Sequence, residues 1–320
     1  MRHAPHAIGI VAGVVAGVVV LVAIYLFWPF GTVHAWQPSV AIGTPVKSLH
    51  MRALDAVQRL AVGVDRGPVA LTVEPAGNIY AGSVVAAYRD GPVIRLSADG
   101  AHYQRLGSTH GAPLGIAASA GEALLIADAR RGLLALNDHG NVLTLDDARG
   151  VDGVSVAPRG TTIYFTRLSS HHRLRQIATA RFAHDLSGSL HAYDAVHHAS
   201  RQLADGLALA RSVALGPGNA YALVTQAGAY QILRVWLAGP KKGQTEVFAR
   251  GLPGFAAGIS FNGTNRFWVA IPTQRSAPLD SLAPRSIYRR LMLRLPPWFM
   301  PATTAKPSDD VIAFDLDGQR

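Results

Sequence analysis

The residues best equipped for chemistry in this 320-residue chain are its 13 histidines, a scatter of aspartates and arginines, and two adjacent serines. Cysteine is absent, which removes thiolate nucleophiles, thiolate metal ligands and any disulfide framework. His171-His172 and His197-His198 are adjacent pairs; neighbours on a strand point to opposite faces, so neither pair offers two imidazoles to one ion. There is no HExxH or HxH cluster, and no GxSxG elbow presents Ser169 or Ser170 as a nucleophile. Residues 239–243, GPKKG, lack the strand-to-helix frame of a phosphate loop and read as a basic surface turn. Two candidates remain here, Arg167 and His172, around the phrase TRLSSHH.

Such side chains need a frame, and the sequence repeats one. A module of apolar strand, glycine-containing turn and second strand recurs as VALTVEPAGNIYAGS, LGIAASAGEALLIADA, DGVSVAPRGTTIYFT, SVALGPGNAYALVT and AGISFNGTNRFWVA. Third strands follow as PVIRLSADG, GLLALNDHG, GSLHAYD, QILRVWLAG and VIAFDLDG, and outer strands as YQRLGS, NVLTLDD, SRQLADG and TEVFARG. β-Branched and aromatic runs bounded by turn residues, in units of four antiparallel strands, predict an all-β propeller spanning residues 53–320. WD40 signatures are absent.

The wording of these repeats resembles the strictosidine synthase-like family, within the gluconolactonase and paraoxonase group. APLGIAASAGEALLIADARRGLLALN, YFTRLSS, VWLAGPKKGQTEVFARGLPGF, RFWVAIPTQRSAPLDSLAPRS and VIAFDLDG carry the resemblance. It implies a six-bladed propeller, here with its last blade incomplete, and membrane-anchored relatives. It also implies a channel calcium ion held by residues that open the innermost strands. Those positions fall at Val69, Asp152, Arg211, Ala257 and Gly258. Only Asp152 offers a side-chain oxygen, and a hard cation needs several. The expectation is a degenerate site with no metal cofactor, Arg211 standing in for the ion and pairing with Asp152.

Residues 1–6 read as a leader and residues 7–28 hold no charged side chain. As a helix that run reaches about 33 Å at about 1.5 Å per residue, enough to cross a bilayer, with Tyr25 and Trp28 at the interface. A cleaved signal peptide ending near Ala35 is the alternative. Arg2 favours a cytoplasmic N-terminus and an exported propeller, facing a bacterial periplasm, with residues 29–52 as linker. Gly9, Gly13 and Gly17 repeat every fourth residue and would suit helix-mediated dimerisation.

The chain carries a formal +10 charge, but basic residues are scattered apart from 285–294, and nucleic-acid signatures are missing. Anionic lipid is the better partner. An insertion at residues 272–310 contains Ile287, Leu291 and Leu295 at four-residue spacing beside Arg285, Arg289, Arg290 and Arg294, then PPWFMP. This predicts a basic amphipathic helix on a membrane, or else a lid packed over the propeller. The resulting functional expectation is an anchored pseudo-enzyme that binds a small molecule or protein. The alternative is an ester or lactone hydrolase, and an amine–aldehyde condensing synthase is least favoured. The chain also stops soon after VIAFDLDG, where relatives continue, so a strand near residues 57–62 is expected to lack its partner blade.

Overall fold

A computed structural model describes residues 15–21, 24–25, 31–41, 68–73, 79–83, 91–97, 102–119, 123–158, 161–295 and 306–320. Most of the N-terminal apolar run, Gly9, Gly13 and residues 57–62 lie outside these. Residues 15–21 and 24–25 are helical, with Val15, Val18, Leu21 and Tyr25 exposed. Among the described residues, no helix is long and apolar enough to cross a membrane.

The rest is a propeller. Four antiparallel sheets of four strands each follow chain order. The first holds β1 (Pro68–Val73), β2 (Ile79–Ser83), β3 (Pro92–Leu96) and β4 (Tyr103–Ser108). The second holds β5 (Pro113–Ala118), β6 (Leu124–Asp128), β7 (Gly132–Leu136) and β8 (Val142–Asp146). In the third are β9 (Val151–Val156), β10 (Thr162–Arg167), β11 (Gly188–Asp194) and β12 (Ala199–Leu207). In the fourth are β13 (Ala210–Leu215), β14 (Tyr221–Gln226), β15 (Gln231–Trp236) and β16 (Thr245–Arg250). A fifth sheet has three strands, β17 (Ile259–Phe261), β18 (Phe267–Thr273) and β19 (Pro307–Phe314).

Burial follows position within a blade. β6, second from the axis and sandwiched by neighbouring sheets, is buried at every residue, while outer β8 is not buried at any. The innermost strands β1, β5, β9, β13 and β17 pack in succession around a central channel. Two glycines permit that approach. A Cβ on Gly115 would lie 2.6 Å from the Asp152 carbonyl oxygen, and one on Gly153 would lie 2.6 Å from that of Arg211. Any side chain there would push inner strands apart.

Two threonines stitch the same strands together. Thr166, next to last in β10, accepts from the Gly153 amide at 2.9 Å and donates to the Arg211 carbonyl of the following blade. Thr225, next to last in β14, accepts from the Ser212 amide at 3.0 Å and donates to the Ala257 carbonyl at 3.1 Å. Each hydroxyl satisfies an amide in its own blade and a carbonyl in the next, both of which would otherwise be orphaned near the axis.

Inner strands begin, and second strands end, at one rim of the propeller. Two excursions leave from that rim. The loop after β10 carries α1 (Ile177–Ala183), and the insertion between β18 and β19 carries α2 (Ala277–Leu282) and α3 (Ser286–Met292). Phe182, Leu279 and Met292 join Leu168, Tyr230, Phe255 and Phe267 in one buried cluster, so these helices are a lid continuous with the core of the fourth and fifth sheets.

Candidate functional site

The channel encloses about 990 Å³. The five positions singled out in the sequence, Val69, Asp152, Arg211, Ala257 and Gly258, all line it. Each opens or immediately precedes an innermost strand, so the propeller delivers them to the lid-side end of one cavity. From there the wall runs down the strands to the turns at Pro158, Gly218 and Gly263 at the other end.

Asp152 and Arg211 meet. The Arg211 Nε donates to Asp152 Oδ2 at 3.3 Å, with the two side chains 26% and 6% exposed. Burial pushes the Asp152 carboxyl above the ordinary carboxylate range, and the charge and hydrogen bond of Arg211 oppose that rise. Arg181 of α1 stands close enough for Arg211 to disfavour its charge; burial is the larger cause of its lowered pKa. Its guanidinium lies 3.8 Å above the Phe255 ring. Of these groups only Arg211 and Asp152 line the channel, so its head holds one cation and one carboxylate, with Arg181 near by.

This donor set does not suit a hard cation. Val69, Ala257 and Gly258 contribute no side-chain oxygen, and the single carboxylate is already bonded to a guanidinium. Among the described residues, no group of three His, Cys, Asp or Glu could hold a metal ion.

Arg167 and His172 are not among the described residues that line the channel. Arg167 ends β10 on the rim and its Nε donates to the Arg149 carbonyl at 3.1 Å. His172 is held by Asp185: Nδ1 lies 3.0 Å from Oδ2, which also accepts from the Ser187 hydroxyl at 3.0 Å and from Ser169. Burial raises the Asp185 pKa, but these hydrogen bonds outweigh it and hold the carboxyl well below its usual range. The cluster braces the loop leading into α1. Asp128 has a comparable structural task, accepting from the amides of Ala112, Arg130 and Arg131.

The polar centre that sequence reasoning missed lies in the lid. Arg289, expected on an outward basic face, is fully buried. Its guanidinium donates to the carbonyls of Phe182 at 2.5 Å, Ala283 at 2.8 Å and His34. Residues 31–41 thus form a strap across the lid. The His34 amide donates to Ala183 O at 3.1 Å, the Trp36 amide to Ala283 O at 3.3 Å, and Arg275 Nη1 to Ser39 O at 2.7 Å. Trp36 stacks on His184, with ring centroids 4.5 Å apart and planes 3° from parallel.

Comparison with known proteins agrees with this architecture. Residues 152–240, which hold both Asp152 and Arg211, match the strictosidine synthase family. The chain is a propeller similar in sequence to strictosidine synthase-like proteins. It is 33% identical over 180 residues to strictosidine synthase-like protein 10 of Arabidopsis thaliana, covering 54% of this chain and 48% of that protein. It is 30% identical over 199 residues to the adipocyte plasma membrane-associated protein of Homo sapiens, covering 58% and 48% respectively. The chain spans about half the length of these curated relatives. Among solved structures, a gluconolactonase from Xanthomonas campestris superimposes with a TM-score of 0.53 at 16% identity, over 76% of this chain and 70% of the other. That likeness concerns the fold.

Proposed function

We propose that this chain is a membrane-anchored binding propeller whose channel receives a small molecule or a protein segment at a head built from Arg211 and Asp152, with no calcium ion. The observation that carries the reading is the 3.3 Å contact between these two side chains. It lies where the family resemblance would place the ion. One cationic head in a channel of predominantly apolar wall suits a ligand with a hydrophobic body and an acceptor-bearing end. The anchor is the uncharged run of residues 7–28, and one matched human relative is itself described as plasma membrane-associated.

Six-bladed geometry is part of the proposal. Val69 and Leu71 of β1, and Trp268 and Val311 of the fifth sheet, line the same cavity yet are 42%, 62%, 47% and 59% exposed. Such apolar faces on the two flanking sheets suit a further blade between them.

The second reading, hydrolysis of a carboxylic ester or lactone, follows the solved gluconolactonase. It requires an electrophile and a free base at the channel head, whereas Arg211 and Asp152 are engaged with each other. Assays of the full chain in detergent with an aryl ester and a δ-lactone separate the two. Binding predicts no turnover above that of Arg211→Met and no effect of a calcium chelator, together with compounds whose thermal stabilisation of the chain disappears in Arg211→Met. Chelator-sensitive hydrolysis would establish the enzyme reading instead.

A further inference from the structure

We infer that the lid-bearing end of the propeller lies against an anionic phospholipid bilayer, so that the opposite end of the channel, at Pro158, Gly218 and Gly263, opens into bulk water. This deepens the anchored reading and rests on it. The first support is tethering. Only five residues lie between Trp28, the end of the apolar run, and His34, which is bonded to the lid. The six steps along the chain from one to the other reach about 20 Å when fully extended. The tie is closer still at Tyr25, whose hydroxyl donates to the Arg294 carbonyl at 3.2 Å just beyond α3. An apolar helix that crosses a bilayer and ends there leaves the lid at the interface.

The lid surface fits that partner. With Arg289 turned inward, α3 and its C-terminal turn show solvent Ile287, Tyr288 and Leu295, which are 69%, 51% and 39% exposed. Apolar side chains of this size on an outward helical face, beside cations, form the surface that inserts below phospholipid headgroups. The charge is equally one-sided. The two excursions, residues 168–187 and 274–306, contain three and six Lys or Arg, against one aspartate each, and residues 31–41 contain no carboxylate. Both aspartates are engaged internally, Asp185 with His172 and Asp280 with Tyr230 at 2.9 Å. Arg173, Arg175, Arg285 and Lys306 are exposed. A surface with that imbalance attracts an anionic leaflet.

The absence of cysteine makes the test direct. Ile287→Cys and Lys242→Cys, the latter exposed on the β15–β16 turn at the far end, are each labelled with an environment-sensitive fluorophore. The full chain is then reconstituted in phosphatidylglycerol-containing vesicles that carry a nitroxide lipid. The label at residue 287 is expected to shift to the blue and lose most of its emission, and the label at 242 to keep its own. Replacing phosphatidylglycerol with phosphatidylcholine is expected to weaken quenching at 287. Equal quenching at both sites, quenching at 242 alone, or no dependence on anionic lipid overturns the inference while leaving the anchor intact. Release of the chain from vesicles by alkaline carbonate overturns the anchored reading itself, a separate result.

Discussion

Arg289→Met is expected to detach the strap from the lid and to lower stability by about 2–4 kcal/mol. The guanidinium is fully buried and, among the described residues, has no carboxylate partner; three carbonyl oxygens accept from its two terminal nitrogens. Methionine fills similar volume but donates nothing, leaving the oxygens of His34 and Phe182 short of a donor in a buried place. The amide protons of His34 and Trp36, bonded to Ala183 and Ala283, should lose their protection against hydrogen exchange. Arg285→Met is the contrast. Arg285 is exposed and its side chain, among the described residues, donates to the nearby Ser281 carbonyl alone, so a change within about 0.5 kcal/mol is expected. Acid should act on the same joint. Burial, then the charge of Arg289, lowers the His184 pKa to about 4 from 6.5. The unfolded chain therefore takes up this proton first as pH falls. The neutral-imidazole stack with Trp36 contributes stability above about pH 6.5 that is lost as pH falls towards 4, up to about 3 kcal/mol. Thermal unfolding of wild type and His184→Phe between those pH values checks the sign.

Arg211→Met is expected to cost about 3 kcal/mol by leaving the Asp152 carboxylate buried and unpaired. That figure is the lower end for a broken buried pair, because the Arg211 side chain retains 26% exposure and some solvation. Asp152→Asn should cost less, since the guanidinium can turn towards channel water. The double variant should recover much of the loss, giving a coupling of about 1–3 kcal/mol in a double-mutant cycle. The pH dependence has the opposite sign to that of His184. Burial holds the carboxyl above its ordinary value of 3.8 in the folded chain, so over that interval the native state holds a proton that the unfolded state has released. Its contribution is most favourable below about pH 3.8 and declines as pH rises through the folded value. Arg211→Met should extend that decline to higher pH, and Asp152→Asn should abolish it.

The blades were legible in the sequence because each is local: one strand pair and a turn encode their own register. The five repeated modules coincide with β1–β2, β5–β6, β9–β10, β13–β14 and β17–β18. Asp152 and Arg211 were legible through the family resemblance, which puts ion-holding positions where innermost strands open, and both line the channel. The lid was not. A four-residue spacing of Ile287, Leu291 and Leu295 described a helix with Arg289 on its polar side, but α3 is only seven residues long. Its inward face is set by carbonyls from residues 34, 182 and 283, and no local pattern encodes a cage that draws two of its three carbonyls from distant segments. The strap has no periodicity at all. Thr166 and Thr225 were within reach, because aligning IYFTR with YALVTQ puts a threonine next to last in both second strands. A hydroxyl repeated there is wasted on a purely apolar blade face.

Calorimetric titration of the full chain with calcium chloride, in wild type and Asp152→Asn, is the most direct measure of what occupies the channel head. The Asp152–Arg211 contact predicts no saturable calcium binding in either protein. One-to-one binding to wild type that disappears in Asp152→Asn would contradict it, and would show that the guanidinium yields its carboxylate to a metal ion.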